Sequence, residues 1–309
     1  MAERGRADAP GMKMREIVKR AVPPSTLRRL HRWEERLASA SIRAAAREQG
    51  LAQLLEALPR IVPDLTRQYT SFRVESEYDR VKVRGMHAFQ VNLAGWAIER
   101  VQRGTAPISI VDIGDSAGTH LRYLQEIHRH LPLECLGINV DEQAVMRIRE
   151  RGLPALRVRA EDLVSRGITA DIFLLFETLE HLMNPIQFLH DLSQRTACRA
   201  LVVTVPYLAR SRVGLYHIRA GRREACGPET VHIFELSPED WSLIFRHAGW
   251  SIVEARPYLQ YPRRGVLRIL RPYWRWRDFE GFWGAVLERD NSWTDLYEGW
   301  AGDRSHETA

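Results

Sequence analysis

Three ionisable residues, Glu177, Glu180 and His181, come directly after the apolar run IFLLF at residues 172–176. A short run of this composition is typical of a buried parallel strand, and ligands in α/β proteins bind at the carboxyl ends of such strands. Carboxylate and imidazole groups at that position can transfer protons or hold a divalent cation. Surface charges are usually inert, but three of them straight after a buried strand favour a role in a functional site.

A second stretch, PISIVDIGDSAGTH at residues 107–120, changes abruptly from β-branched apolar residues to small and polar ones, and then to a helical pattern. This order predicts a strand, a tight turn and a helix, which brings backbone close to a ligand at the end of the strand. Gly114 and Gly118 have no Cβ, so the turn can be tight and a nucleoside can lie against it. Taken alone, such a turn can equally be structural.

Strands and helices alternate through the middle of the chain, which indicates a doubly wound parallel sheet. The first strand is expected to end at Ile113. A short helix before it is expected over residues 51–58 and to end near Pro59. Further apolar runs predict strands at residues 135–139, 156–158, 172–176, 200–205, 250–255 and 281–288.

Four motifs occur in an order typical of one large enzyme family. DIGDSAG at residues 112–118 follows the pattern D/E-x-G-x-G-x-G, with Ser116 in place of the middle glycine. GINVDEQAV is similar to G-I-D-x-S-x-x-A-V, with Asn139 in place of the acidic residue. RAEDL follows the third strand, and residues 171–192 closely resemble D-x-x-x-x-x-E-x-L-E-H-x-x-x-P-x-x-x-L. With these motifs in register, residues 80–257 resemble a class I S-adenosylmethionine (SAM)-dependent methyltransferase of the type 11/type 23 group.

The resemblance implies a fold, a methyl donor and the residues that bind it. The implied fold is α/β, a Rossmann-like doubly wound sheet with six parallel strands and one antiparallel strand at residues 281–288, and the implied donor is SAM. In the family an acidic residue after the second strand binds both ribose hydroxyls. Asn139 can still donate and accept a hydrogen bond there, without the charge, and Asp141 is close enough in sequence to compensate. The implied SAM-binding residues are Asp112, Gly114, Asp115, Gly118, Asn139, Val140, Ala160 and Glu161.

The catalytic residues also follow from the resemblance. Methyl transfer asks little of a protein, because the sulfonium is already activated and the reactants need only be aligned and shielded from water. A hydroxyl acceptor benefits from a general base, for which His181 is the natural candidate, with Glu177 as a second catalytic residue.

A metal ion is an alternative source of activation. ETLEH followed by VHIFELS resembles the metal-binding pattern of small-RNA 2′-O-methyltransferases and ubiquinone-pathway O-methyltransferases, which hold Mg²⁺. Many relatives carry E-x-x-E-H without a known metal, so no metal is predicted. If one binds, the candidate ligands are Glu177, Glu180, His181 and His232.

Two connections are expected to border the site. In this family the segment before the first strand, here residues 69–106, often closes over the donor. Arg84 and His87 are therefore candidate site residues or ordinary surface groups, and a helix is expected from about Gly85. The long connection at residues 206–235 is expected to form the acceptor site, and its arginines suit an anionic acceptor such as an acidic sugar or a phosphate.

We therefore predict methyl transfer to a hydroxyl of a glycan or a lipid-linked sugar. The alternative enzyme is a metal-assisted O-methyltransferase that acts on an RNA 2′-hydroxyl or a quinone-type phenol. Because Ser116 and Asn139 depart from the donor motifs, a non-enzymatic reading also stays open. In that reading the chain is a degenerate Rossmann-like binding module at a membrane surface.

The positive charge is concentrated at one end of the chain. Residues 1–50 contain twelve Lys and Arg residues against six Asp and Glu residues, which equals the whole net charge of +6. This distribution argues against a uniformly basic nucleic-acid-binding domain. We predict a basic helical extension at residues 1–68, a methyltransferase core at residues 69–260, and a Trp- and Arg-rich segment at residues 261–309 that includes the last strand.

Both ends of the chain have features that suit a membrane surface or the protein core. In the helix expected after Pro24, Leu27, Leu30, Trp33 and Leu37 form an apolar stripe among arginines. This stripe either packs on the core or lies on an anionic membrane. The C-terminal tryptophans can stack on sugars, anchor the protein at a membrane or cover the sheet edge. They are Trp274, Trp276, Trp283, Trp293 and Trp300.

Cysteine usage and hydropathy predict a cytoplasmic protein. The three cysteines show no paired spacing, which argues against disulfide bonds and a zinc ribbon. No apolar run is long enough to span a bilayer, and the first residues lack the apolar region of a signal peptide. Peripheral membrane association through the basic helix or the Trp-rich segment is compatible with this expectation.

Overall fold

A seven-stranded sheet forms the centre of the protein, whose computed structural model describes residues 24–277 and 280–297. The strands are rich in branched and aromatic apolar residues, which fit a pleated surface covered on both faces. The described residues contain nine strands, of which all but β6 and β7 belong to this sheet. They are β1 (Ile108–Ile113), β2 (Leu133–Asn139), β3 (Ala155–Arg157), β4 (Ile172–Phe176), β5 (Ala200–Pro206), β6 (Arg212–Val213), β7 (Phe234–Glu235), β8 (Trp250–Leu259) and β9 (Gly281–Arg289).

The strand order in the sheet is β3-β2-β1-β4-β5-β9-β8. β1 pairs in parallel with β2 and β4, and β4 pairs in parallel with β5. β9 lies antiparallel to both β5 and β8, so the prediction of six parallel strands and one antiparallel strand is confirmed. β8 continues to Leu259, beyond the predicted end at residue 255. β6 and β7 form a separate antiparallel ribbon inside the connection at residues 206–235.

Helices cover both faces of the sheet, as expected for a doubly wound fold. α3 packs on one face through Phe89 and Leu93, whereas Phe188 of α6 and Phe245 of α8 pack on the other. The helices of the described residues are α1 (Pro24–Glu48), α2 (Ala52–Ile61), α3 (Glu77–Val101), α4 (Thr119–Ile127), α5 (Glu142–Glu150), α6 (Pro185–Arg195), α7 (Tyr216–Arg219), α8 (Pro238–His247) and α9 (Arg271–Arg277).

Two helix boundaries differ from the sequence predictions. α3 begins at Glu77 rather than near Gly85, because Ser76 Oγ accepts a hydrogen bond from the backbone N–H of Asp79 and caps the helix. α2 continues past Pro59, because the backbone N–H of Val62 still donates to the Leu58 carbonyl at 3.0 Å and closes the last turn.

α1 is buried only along its C-terminal half. There Ala38, Ile42 and Ala45 pack on the core, so the expectation that α1 contacts the core is met in this half. Leu30 and Trp33 in the N-terminal half are 54% and 64% exposed. The prediction that the whole apolar stripe packs on the core is therefore wrong.

The C-terminal tryptophans divide between the core and the surface. Trp274 and Trp283 are buried, which agrees with the reading that these aromatics cover the sheet and its edge. Trp276 and Trp293 are about half exposed, and Trp300 lies outside the described residues. Among the described helices, none combines the length and the hydropathy that crossing a bilayer requires.

Candidate active site

A cleft of about 1000 Å³ opens at the carboxyl ends of β1, β2, β3, β4 and β5. Parallel strands bring their carboxyl ends to one edge of the sheet, so residues that are distant in sequence meet there. The cleft is lined by most of the residues that the sequence motifs single out. These are Asp112, Gly114, Asp115, Asn139, Val140, Ala160, Glu161, Glu177, Glu180, His181 and His232.

Four candidates lie away from the cleft lining. Gly118 is the N-cap of α4, and Asp141 caps α5 through the backbone N–H of Gln143. Arg84 donates to the backbone carbonyl of Pro63 at 2.8 Å, and His87 is fully buried, so neither is a surface group. Asp141 therefore has a structural task of its own at the start of α5.

The glycine loop is shaped by two positive φ angles. Gly114 has φ +87°, and a Cβ there would come within 2.5 Å of Thr178 Oγ1. Gly118 has φ +71°, and a Cβ there would come within 2.8 Å of Leu153 Cδ1. Gly114 is thus required where the loop borders the cleft, whereas Gly118 is required for packing behind it.

Asp115 holds the loop in place with its own side chain. Its Oδ1 accepts hydrogen bonds from the backbone N–H groups of Ala117 and Gly118, at 3.0 and 2.7 Å. Burial and the neighbouring Asp112 raise the pKa of Asp115 to about 7, and His120 and the two N–H groups oppose this rise. The same residue therefore supports the loop and lines the cleft.

Asn139 ties the end of β2 to the glycine loop. Its Nδ2 donates to the Asp115 carbonyl at 3.0 Å, and its Oδ1 accepts from the backbone N–H of Asp141 at 2.8 Å. An amide has two N–H donors and two acceptor lone pairs, so one of each is left for a ligand. A carboxylate in this place could not donate a hydrogen bond to the Asp115 carbonyl. This contact explains why asparagine rather than an acidic residue stands at the end of β2.

A buried polar network lies directly behind the loop. His120 Nε2 is 2.9 Å from Gln90 Oε1, and His120 Nδ1 is 3.4 Å from Asp112 Oδ2. Burial lowers the pKa of His120 to about 4, and burial raises the pKa of Asp112 well above its ordinary value. His120 is therefore neutral near pH 7 and donates its Nε2 proton to Gln90. No sequence motif identified His120, although it directly follows the loop.

The neutral state of His120 makes stability depend on pH. The unfolded imidazole takes up a proton below about pH 6.5, but the folded one does so only near pH 4. At this residue the unfolded state thus binds more protons in this window, so the contribution of His120 to the free energy of unfolding should fall by up to about 3 kcal/mol as pH drops through it. The raised pKa of Asp115 acts in the opposite direction, so urea unfolding of the wild type and of His120→Gln at a series of pH values measures the His120 contribution as a difference. His120→Gln should remove most of it, and an unchanged slope in the variant would contradict the assignment.

Glu177 occupies an unusual backbone conformation at the end of β4. Its φ is +53°, which is uncommon for a residue with a side chain. Its backbone N–H donates to the Thr204 carbonyl at 2.9 Å, so the neighbouring strand β5 holds this conformation. Strained residues of this kind concentrate at functional sites, and this one turns the chain into the cleft.

Three of the four candidate metal ligands form a compact cluster. One ligand atom from each of Glu180, His181 and His232 lies within 4.8 Å of the others, whereas Glu177 lines the same cleft outside this group. Glu180 is fully buried, and neither carboxylate oxygen receives a hydrogen bond from the described residues. The His181 ring lies beside it, with Nε2 at 3.9 Å from Glu180 Oε1.

Hydrogen bonds fix both imidazole rings through Nδ1. His181 Nδ1 lies 2.8 Å from the Val231 carbonyl, and His232 Nδ1 lies 3.1 Å from Glu235 Oε1. Each Nδ1 therefore carries a proton, and in the neutral imidazole it is Nε2 that has the lone pair. Burial raises the pKa of Glu235, but hydrogen bonds from His232, Tyr216 and Arg212 outweigh it and bring the pKa down to about 2.

The arginines of the connection at residues 206–235 do not line the cleft. Arg212 pairs with Glu235 at 2.6 Å, and Arg219 donates to the Gly214 carbonyl at 3.0 Å. These two side chains stabilise the ribbon and its turn. Other residues of the connection, among them Glu229 and His232, do line the cleft, and the acceptor site there stays a prediction. The basic residues that do line the cleft come from elsewhere and are Lys82, Arg157, Arg159 and Arg166.

The segment before α3 covers one side of the cleft. Tyr69 and Phe72 line it and stack on each other, with ring centroids 4.6 Å apart. Thr70 Oγ1 donates to Glu229 Oε2 at 2.8 Å, which joins this segment to the connection after β5. The aromatic composition of residues 69–72 is the signal that identifies this cover.

Comparison with known proteins supports the fold. No protein-family model and no curated protein matches the sequence. The CurJ carbon methyltransferase aligns with a TM-score of 0.51 and 16% identity, over 87% of this chain and 72% of that chain. Two further structures were solved with S-adenosylhomocysteine bound. The Burkholderia thailandensis 1,6-didemethyltoxoflavin-N1-methyltransferase aligns with a TM-score of 0.46 and 11% identity, over 66% of this chain and 79% of that chain. The N-terminal domain of EvdMO1 aligns with a TM-score of 0.45 and 14% identity, over 77% and 96%.

The strand order and the likeness to CurJ define the class of fold. The seven strands follow the order 3-2-1-4-5-7-6 when the sheet alone is counted, with the last strand in sequence antiparallel. The chain therefore has the fold of class I SAM-dependent methyltransferases, and the fold that the sequence resemblance implied is confirmed.

Proposed function

We propose that the protein transfers a methyl group from SAM to a hydroxyl of a glycan or a lipid-linked sugar. The observation that carries this proposal is one cleft that brings the glycine loop and Asn139 together with His181. Its volume of about 1000 Å³ is enough for a nucleoside donor and part of an acceptor. The fold makes methyl transfer from SAM the first reaction to test. The residues in the cleft suggest which side of it binds the donor and which side binds the acceptor.

The donor side of the cleft fits SAM. Gly114 exposes backbone at the end of β1, and Asn139 keeps one donor and one acceptor for a ribose. Ala160 and Glu161, in the one-turn helix Ala160–Asp162, border the same side. SAM supplies an activated sulfonium methyl group when bound, and Tyr69 and Phe72 exclude water from it.

His181 serves the acceptor side. Because its Nδ1 proton is held by the Val231 carbonyl, its Nε2 lone pair is available to a hydroxyl in the cleft. The hydroxyl oxygen forms the new bond to the methyl carbon as the bond from that carbon to sulfur breaks, and the hydroxyl proton passes to His181 Nε2. Glu180 beside the ring favours the imidazolium that results.

Calorimetric titration of S-adenosylhomocysteine into the full-length protein tests the donor. Micromolar binding is expected, and absence of binding would overturn the proposal in favour of a non-enzymatic module. Incubation with methyl-labelled SAM and a panel of soluble oligosaccharides and detergent-solubilised lipid-linked sugars then tests the acceptor. Label in the sugar fraction supports the proposal, whereas label only in quinone-type phenols or RNA would reassign the acceptor.

A metal-assisted reaction is the second candidate, and the buried Glu180 favours it. A carboxylate removed from water without hydrogen bonds is costly, and a cation would offset that cost. Two imidazoles fixed through Nδ1 are typical of metal sites. Since Mg²⁺ prefers oxygen ligands, one carboxylate and two imidazoles suit Mn²⁺ or Zn²⁺ better. Such an ion would act as a Lewis acid beside the acceptor hydroxyl.

Chelation and a Glu180→Gln variant separate the two candidates. If a metal binds, Mn²⁺ should raise the melting temperature of the wild-type protein but not that of Glu180→Gln, and activity should fall after chelation. In the metal-free state Glu180→Gln should be more stable than the wild type, because it buries no charge. The exposed Glu56→Gln serves as the control. Wild-type protein that contains no metal by elemental analysis and stays active after chelation would exclude this candidate.

A further inference from the structure

Two segments that lie at opposite ends of the chain expose large apolar residues in the same region. Leu30 and Trp33 of α1 are 54% and 64% exposed. Val266 and Ile269 of the one-turn helix Val266–Leu270 are 75% and 68% exposed. Single exposed apolar residues are ordinary, but four in two adjoining segments call for an explanation.

Direct contacts hold these two segments together. Trp274 Nε1 donates to Ser41 Oγ at 3.2 Å, and Tyr273 OH donates to Glu34 Oε1 at 3.2 Å. The helix Val266–Leu270 also packs against α1. We call the exposed part of these segments the basic apolar surface. It consists of Leu30, Trp33, Val266 and Ile269 with Arg29, Arg32, Arg36, Arg263, Arg264 and Arg268.

The arginines give this surface a strong positive charge. All six are exposed, and within the described residues none of their side chains forms an ion pair. Acidic residues lie close by but are fewer than the arginines. Glu34 and Glu35 of α1 lie 3.5 Å from the His31 ring. The Glu48 carboxylate accepts the backbone N–H groups of Arg263 and Arg264, and Glu280 pairs with Arg271 and Arg275.

We propose that the basic apolar surface docks on a membrane that carries anionic lipids. Arginine binds lipid phosphates, while tryptophan and aliphatic side chains enter the region between headgroups and acyl chains. A nucleic acid would match the charge but would leave Leu30, Val266 and Ile269 in water, so the bilayer is the better match. From the sequence, the N-terminal helix and the C-terminal segment are two separate candidates for membrane contact. In this proposal they form a single docking surface.

The basic apolar surface also adjoins the cleft. Tyr78 in the first turn of α3 stacks on Trp274, with ring centroids 6.3 Å apart. Asp79 in the same turn and Lys82 in the next turn line the cleft. Docking would therefore bring the cleft close to the headgroups. Membrane binding itself needs neither SAM nor an acceptor, so this proposal stands apart from the proposed methyl transfer.

Flotation of the full-length protein with vesicles tests the proposal without any methyl donor. One set of vesicles contains phosphatidylcholine alone, and the other contains equal parts of phosphatidylcholine and phosphatidylglycerol. The wild type should float only with the second set, and salt should weaken its binding. Two double variants should each reduce partitioning by about tenfold or more. One is Trp33→Ser with Ile269→Ser, and the other is Arg263→Glu with Arg268→Glu.

The controls Leu243→Ser and Arg129→Glu alter exposed residues elsewhere and should bind as the wild type does.

Three results would overturn the proposal. The first is a wild type that floats with neither set of vesicles. The second is flotation that both double variants retain, which would place membrane contact elsewhere. The third is a wild-type dimer, measured by light scattering, that the variants convert to monomer, because a second copy of the chain would then cover this surface.

Discussion

Replacement of Gly114 by alanine is expected to lower the affinity for S-adenosylhomocysteine by at least about a hundredfold. The residue has φ +87°, and a Cβ would meet Thr178 Oγ1 at 2.5 Å. Thr178 cannot yield easily, because its hydroxyl lies 3.0 Å from the Ile113 carbonyl and 3.1 Å from the Phe176 carbonyl. The glycine loop must therefore move, and the surface that faces the donor moves with it.

Gly152→Ala is the matched control for this variant. Gly152 also has a positive φ, +76°, but a Cβ there would meet no atom within 4 Å. Both variants carry the backbone cost of about 1–2 kcal/mol, whereas only Gly114→Ala displaces the loop. Circular dichroism and thermal melting establish that each protein is folded, and calorimetry measures binding. Equal affinities for Gly114→Ala and Gly152→Ala would show that the donor does not lie against this loop.

Replacement of His181 by glutamine is expected to reduce the rate of methyl transfer by about 10²–10⁴. A glutamine amide can still donate to the Val231 carbonyl, which His181 Nδ1 contacts at 2.8 Å, but it cannot accept a proton at neutral pH. Donor binding should be unchanged, because the proposed role of His181 is to accept the acceptor's proton. Single-turnover rates measure the effect on methyl transfer, and calorimetry with S-adenosylhomocysteine measures donor binding.

The exposed His130→Gln controls for loss of a histidine as such. A His181→Gln enzyme with the wild-type rate would remove His181 from the mechanism. A loss of rate that accompanies a loss of bound metal in elemental analysis would instead identify His181 as a ligand, in keeping with its position beside Glu180 and His232.

Much of the fold was predictable because buried parallel strands leave a clear signal. β4 is apolar throughout, β5 is apolar except for Thr204, and every residue in both strands is buried. The polar residues that follow the strands were predictable for the same reason, since the ends of parallel strands converge. Asn139 and Glu177 reach the cleft by this rule alone, with no knowledge of the loops between the strands.

Other features depend on tertiary contacts that leave no local pattern. α3 is buried on nearly all sides, so it has no amphipathic stripe, and its start at Glu77 was missed. His120 looks like an ordinary helical residue, and only its contacts with Gln90 and Asp112 set it apart. The exposure of Trp33 likewise depends on how far α1 extends past the core, which periodicity does not reveal.

The contact between Thr70 and Glu229 bears on the timing of catalysis. It joins the two connections that border the cleft, and a hydrogen bond to a carboxylate contributes about 1.5–3 kcal/mol. In the proposed reaction, parting this hydrogen bond would widen the path by which the product S-adenosylhomocysteine leaves. Motion of the cover would then be a step of turnover in its own right, and variants of Thr70 would report on product release rather than on bond making.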